Sequence, residues 1–331
     1  MNAMNNLTGG RLVYVNGEFV PESEAKVSIF DSALMFGDMV FEMTRSFNKQ
    51  QFKLREHLER LIAGTKILRI PLNLSIDDLE NICKRVVEVN EPFFSSTDEH
   101  RLMINVSRGP LSIYKDVFEK MGPTVIVADF PLKWTVAGMG ELYDHGINAV
   151  IPSQRAIPAS LMDPKIKNRS RLFYQMANIE VSQVKGERNW ALLLDPEGRI
   201  TEGTGDNFFI VKSGKLITSK GENVLRGISR DYVFELAEAM GLQCLEEDFG
   251  PYDVYTADEA FMTGTPFSIL PVSSLNGLKI GHAPMGPVTQ SLITEWGTRV
   301  GVDLIHQIKE FNKEVTTASG SSPYRFSSED S

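Results

Sequence analysis

The chain has 331 residues, 42% hydrophobic and 23% charged, an ordinary globular balance that suggests two domains at roughly 100–200 residues each. Lys plus Arg total 34 against 43 Asp plus Glu, a net charge of −9 with no basic run, which argues against nucleic acid as a partner. The distant Cys83 and Cys244, five scattered histidines and the lack of any apolar run near the ~18 residues of a membrane span argue against disulfides, a metal centre and a membrane protein. Residues 1–6 lack a signal-peptide pattern, so the expectation is a soluble cytoplasmic protein.

Strand and helix signals alternate along the chain. Leu12 to Val15, Asn16-Gly17 and Glu18 to Val20 read as a hairpin, because Asn-Gly supplies the positive φ angles of a type I′ turn. From Arg55 to about Leu68, apolar residues recur at helical spacing: Leu58, Leu61, Ile62, the Thr65 methyl and Leu68. Ser75 with Asp78 three residues on, then Leu79, Ile82, Cys83 and Val86, predicts a capped amphipathic helix. Residues 101–106 and 124–128 read as buried strands.

The pattern breaks around Phe130 to Trp134, which places the domain boundary there: an N-terminal α/β domain over 1–133 and a larger, strand-rich α/β domain over 134–315. The second begins with a strand at 149–151, then a polar stretch holding Pro158 and Pro164, then a helix over 170–184. Strands follow at 190–194, 208–211 and 216–218, with Asp195 to Gly198 as a turn. A helix over 229–240 meets Gly241, a residue type suited to a helix C-terminus. Residues 316–331, rich in Ser, Thr and Gly, read as a disordered tail.

Five short segments hold most of the candidate chemistry. They are Asp163-Pro-Lys-Ile-Lys167-Asn-Arg-Ser-Arg171, Ile200-Thr-Glu202-Gly-Thr-Gly-Asp-Asn207, Leu225-Arg-Gly-Ile228-Ser229-Arg-Asp231, Phe261-Met-Thr-Gly-Thr265-Pro266 and Arg55-Glu-His-Leu-Glu-Arg60. Taken singly, each has a plain reading beside a functional one. Ser229 serves as an N-cap, or else the helix start at Gly227-Ile228-Ser229 offers free N–H groups to a phosphate. Lys167 reads as a solvated charge, Glu202 as a turn residue and Arg60 as a surface ion pair with Glu56.

In this order and spacing the segments resemble the class-IV aminotransferases, the fold-type IV family of pyridoxal-phosphate (PLP) enzymes, over Arg11 to about Leu304. The resemblance implies a two-domain α+β fold and a homodimer whose site draws on both domains and both chains. It implies that Lys167 forms the Schiff base with PLP: burial lowers a lysine's pKa from about 10.4 and makes it a nucleophile and proton shuttle. It further implies that Glu202 faces the pyridine nitrogen and keeps the ring an electron sink. Ile228, Ser229, Thr265 and Arg60 would hold the phosphate.

The branch within the family is open. Phe36-Gly-Asp-Met-Val-Phe41-Glu42-Met43 has Phe36 where branched-chain enzymes carry a tyrosine and Met43 where they carry a glycine. That brings it nearer the D-amino-acid and lyase branches, but the segment after Arg108-Gly109 lacks the Arg-x-His of the D-amino-acid enzymes. Arg171 stands nearest the place of a tyrosine that contacts the cofactor. Phe36, Phe41 and Met43 are expected on the substrate side, and Arg101 and Arg108 as binders of a substrate carboxylate, because a planar guanidinium suits bidentate recognition. The leading expectation is a branched-chain-like aminotransferase moving an amino group from an amino acid or amine to a 2-oxo acid by a ping-pong cycle. The alternatives are a D-amino-acid or (R)-amine transaminase, or an aminodeoxychorismate-lyase-type enzyme.

Overall fold

The computed structural model describes residues 10–314, so the expected tail lies outside the described residues. The chain divides into two compact units, one running to Leu132 and taking in Ile166–Arg171, the other holding Lys133–Lys165 and everything from Leu172 onward. The division begins one residue before the expected boundary. It also differs in kind, because six residues of the second half, Lys167 among them, pack with the first unit.

The first unit opens with the expected hairpin, β1 (Leu12–Val15) and β2 (Glu18–Pro21), with Asn16 and Gly17 at φ of 49° and 102°. There follow α1 (Ser32–Phe36), β3 (Met39–Met43), the short pair β4 (Ser46–Phe47) and β5 (Gln50–Gln51), α2 (Leu54–Ile67), α3 (Ile76–Asn90), β6 (His100–Ser107) and β7 (Thr124–Pro131). Five strands form one sheet in the order β2-β1-β7-β6-β3. Ser75 and Asp78 form the expected capping box at the start of α3. Leu54, Leu58 and Leu61 of α2 and Leu79, Cys83 and Val86 of α3 bury against Val40, Leu102, Ile104, Val106, Val125 and Val127 of the sheet. Alternation then dictates the rest: a strand sends successive side chains to opposite faces, so Met39, Phe41 and Met43 point away from this core.

The second unit contains α4 (Lys133–Val136), α5 (Leu142–His145), β8 (Ile147–Val150), α6 (Leu172–Ser182), β9 (Asn189–Leu194), β10 (Ile200–Gly203), β11 (Asn207–Lys212), β12 (Lys215–Thr218), α7 (Ile228–Ala239), β13 (Cys244–Glu246), α8 (Pro251–Tyr255), β14 (Glu259–Gly264), β15 (Ser268–Leu275), β16 (Leu278–Lys279), α9 (Pro287–Val300) and α10 (Leu304–Glu314). Its nine-stranded sheet runs β10-β9-β8-β15-β14-β11-β12-β13, with β16 on β15. The inner strands are almost continuously apolar (Phe208 to Val211, Ala260 to Met262), as befits strands covered on both faces. Gly241 takes the left-handed conformation at φ 68° just past α7, as its residue type implied. No described helix is long and apolar enough to cross a membrane.

A buried polar knot ties the end of α3 to the first unit's sheet. His100 Nδ1 lies 2.7 Å from Asp129, its Nε2 is bonded to Glu91, and its ring lies 4.2 Å from that of Phe94. Burial alone would lower the His100 pKa, but hydrogen bonds and charge from Asp129 and Glu91 outweigh it and raise it. Burial likewise raises Asp129 despite its histidine partner. The His100 shift favours the protonated imidazole in the folded state, so the stability it contributes is present below the ordinary imidazole pKa and lost as pH rises through the folded value; the Asp129 shift acts lower, in the carboxylate range. Melting temperatures followed from about pH 6 to about pH 9 should fall in the wild type and fall less in His100→Asn; parallel profiles would exclude this knot as the cause.

Candidate active site

In the first unit the site is built on β3. Beyond the strand's edge, Phe41 N–H donates to the Lys167 carbonyl at 3.0 Å and Arg169 N–H donates to the Met39 carbonyl at 2.9 Å. Val40 and Asn168 pair as an isolated antiparallel bridge. Backbone bonds on both sides of Asn168 thus hold Lys167 and Arg169 to the strand. Their side chains meet the Phe41 ring, with Arg169 Cζ 3.7 Å, Lys167 Nζ 5.0 Å and Arg171 Cζ 5.6 Å from its centroid. A cation over an aromatic face is attracted by the ring's quadrupole, so one phenylalanine gathers three cations.

Arg169 is oriented further by Asn105, whose Oδ1 accepts from Nε and Nη2 at 3.1 and 3.0 Å. Arg101, one strand repeat beyond Met103, is 8% exposed. Its Nη2 reaches Met43 Sδ at 3.6 Å, while Nε and Nη1 have no hydrogen-bond partner. Burial, with the neighbouring charge of Arg169, lowers its pKa to about 10; Arg169 is lowered to about 10 by burial and Arg171. Both remain cationic at neutral pH.

The opposite face of β3 carries a neutralised charge. Glu42, fully buried, accepts from Arg60 Nε at 2.6 Å and Nη2 at 2.8 Å, and lies 2.7 Å from His57 Nδ1. Burial would raise the Glu42 pKa, but Arg60 and His57 drive it well below the carboxylate range. His57 is pushed down by burial against the pull of Glu42, so the imidazole is neutral and donates through Nδ1. Arg60 therefore pairs with Glu42; Glu56, the partner of its plain reading, lies 3.5 Å from Lys53.

Two expected substrate residues, Arg108 and Phe36, have surroundings different from those of Arg101. Arg108 donates to Asp38 and to the carbonyls of Leu68 and Arg69, so it ties the end of α2 to the turn before β3. Phe36 closes α1 with its side chain 63% exposed, whereas Phe41 is buried and Met43 half-buried on the face that carries Arg101.

In the second unit a polar group centres on Glu202, buried where β10 turns into β11. One oxygen accepts from Asn207 Nδ2 and Leu225 N–H, each at 3.0 Å, and the other from the Tyr174 hydroxyl at 2.9 Å. Asn207 also donates to the Leu225 carbonyl at 2.9 Å, which fixes the approach to α7. Gly227 follows: a Cβ there would stand 2.1 Å from Asn207 Oδ1, so the close approach requires glycine. As the N-cap of α7 it has no side chain to occupy the first-turn N–H groups, those of Ile228 and Ser229 included. Thr265 lies in the tight turn joining β14 to β15, where Gly264 pairs with Ser268. A helix start without a side-chain cap and a buried, multiply donated carboxylate fit a phosphate and a heterocyclic nitrogen respectively.

Sequence reasoning did not find Tyr174, Asn105, Arg169 or the Glu42–His57–Arg60 cluster. The spacing of His57 and Arg60, three apart on one helix face, was the available signal for the cluster. Tyr174 and Asn105 carried none.

A family model described as amino-transferase class IV matches residues 39–275. A putative branched-chain-amino-acid aminotransferase of Methanocaldococcus jannaschii is 34% identical over 296 residues, 87% of this chain and 98% of that protein. Among solved structures, the branched-chain amino acid aminotransferase of Escherichia coli superposes with a TM-score of 0.77 at 30% identity, covering 88% of this chain and 94% of that one. The corresponding enzyme of Thermobaculum terrenum, solved in its PLP form, gives 0.73 at 25% identity over 92% and 97%.

The Glu42 cluster has a direct consequence for stability. Glu42→Gln removes the anion and leaves the Arg60 guanidinium uncompensated, which should cost about 3–5 kcal/mol. Urea unfolding measures it, and a loss under about 1 kcal/mol would show that solvent reaches Arg60 freely.

Proposed function

The chain belongs to the class IV aminotransferases, and on that premise we propose that it is a PLP-dependent aminotransferase of branched-chain type, moving an amino group between an amino acid or amine and a 2-oxo acid in two half-reactions. When bound, the cofactor supplies an aldehyde that bonds amines and a ring that accepts electrons. The observation that carries the reading is Lys167, held at its carbonyl by Phe41 N–H, with its amine over the Phe41 ring. A lysine so placed is suited to bond the aldehyde, then to take a proton from the substrate carbon and return it to the cofactor.

Glu202 is the partner of the ring nitrogen: a carboxylate given three donors stays anionic and holds a proton on that nitrogen. Ile228 and Ser229 offer backbone N–H groups to the phosphate, and Thr265 a hydroxyl. Arg60, oriented by Glu42, adds positive charge for the same group. Arg171 contacts the cofactor from the Lys167 segment. Arg101 binds a substrate carboxylate, which the unpartnered Nε and Nη1 support, with Phe41 and Met43 as the apolar surface beside it.

We read the enzyme as a homodimer, because α1 exposes Leu34, Met35 and Phe36, and the segment after Arg108 exposes Ile113 and Val117. Phe36 then takes its substrate-side role at the interface. The free thiols of Cys83 and Cys244 suit a reducing cytoplasm.

A visible spectrum of the purified protein tests the reading. A cofactor band should bleach with an amino donor and return with a 2-oxo acid, and no band after adding PLP would overturn the assignment. Lys167→Ala should retain the fold and abolish turnover. Arg101→Met should raise KM for carboxylate substrates by roughly tenfold or more with a smaller effect on kcat, as loss of one charged hydrogen-bonding pair implies. An unchanged KM would remove Arg101 from the site.

A further inference from the structure

Glu202 is held by donors from three elements, and they do different work. Asn207 and the Leu225 N–H share one oxygen, and Asn207 is itself locked to the Leu225 carbonyl, so this pair fixes where the carboxylate stands. The Tyr174 hydroxyl reaches the other oxygen from α6, a helix that begins five residues after Lys167. Its ring lies 4.0 Å from that of Phe173. The hydroxyl has a neighbour in Glu202 whose charge it can tune without being needed to place it.

We infer that Tyr174 is a positioning residue that acts through Glu202 on the charge of the cofactor's ring nitrogen. The inference rests on the role proposed above for Glu202. A hydrogen bond donated to a carboxylate stabilises its anionic form and lowers its affinity for a proton. A proton shared between Glu202 and the ring nitrogen is thereby held on the nitrogen, and the ring is kept cationic and strongly electron-withdrawing. Without the hydroxyl, Glu202 becomes the stronger base, the proton moves toward the carboxylate, and the ring approaches neutrality. No atoms are exchanged with Tyr174: its own proton stays on its oxygen throughout.

The test is the holoenzyme reconstituted with PLP labelled with nitrogen-15 in the ring, its nitrogen resonance recorded for wild type, Tyr174→Phe and Glu202→Gln. Wild type should show the protonated ring, Glu202→Gln the unprotonated one, and Tyr174→Phe a position between them. Stopped-flow bleaching of the visible band by a donor should be roughly tenfold slower in Tyr174→Phe, the worth of one hydrogen bond to a charged acceptor, with the donor's apparent affinity unchanged. If Tyr174→Phe lowers cofactor occupancy but leaves the bound-ring resonance at the wild-type position while Glu202→Gln moves it, Tyr174 is merely structural and the inference falls, though Glu202 keeps its role. If neither variant moves the resonance, the assignment of Glu202 falls and Tyr174 with it.

Discussion

Capture of residues 167–169 by the free edge of β3 is the constraint on which the first unit's chemistry depends. Two backbone hydrogen bonds, Phe41 N–H to the Lys167 carbonyl and Arg169 N–H to the Met39 carbonyl, turn a loop into an added strand edge. Backbone bonds of this kind are indifferent to side-chain identity, so the register they impose decides which side chains meet. Lys167 and Arg169 are two residues apart and share a face, and alternation along β3 puts Phe41 under both. Shifting that register by one residue would present Asn168 and remove the lysine.

The same alternation separates two kinds of charge across β3. On the core side Glu42 stands among Arg60 and His57, a buried anion matched by a permanent cation and a neutral imidazole donor. On the other side Arg169 lies close enough to Arg101 to lower its proton affinity, with Asn105 beside Arg169 and Met43 beside Arg101. Burying a guanidinium without a carboxylate is costly, and sites that bear such a cost commonly bind an anion from outside the fold. A five-residue strand therefore has the Glu42–Arg60 ion pair on one face and buried guanidinium groups on the other.

In the second unit the organising group is a carboxylate as well, but its partners are mostly neutral. Tyr174, Asn207 and the Leu225 N–H all donate to Glu202 without giving it a countercharge of their own. On the role proposed for it, such an arrangement suits an anion that holds a proton on a neighbouring base. Gly227 shows how tightly this is built: the close pass of the chain over Asn207 both completes the hydrogen bonds of Glu202 and delivers an uncapped helix start.

Much of this was legible in the linear chain because it is local. The Asn16-Gly17 turn, the Ser75–Asp78 capping box, the left-handed Gly241 and the periodicity of α2 and α3 depend on residues within a few positions of each other. Ordered motifs likewise pointed to Lys167, Glu202 and Ser229 and to the family. Long-range pairing decided the remainder. Arg101 and Arg108 are seven residues apart and the same residue type, yet Arg108 ends among Asp38 and two carbonyls while Arg101 is buried without acceptors for Nε and Nη1. The Lys167 segment belongs to the first unit only because its backbone finds an unpaired strand edge more than a hundred residues earlier. Tyr174 meets Glu202 only when a helix and a sheet bury polar groups together, and buried polar groups must find partners wherever the fold places them.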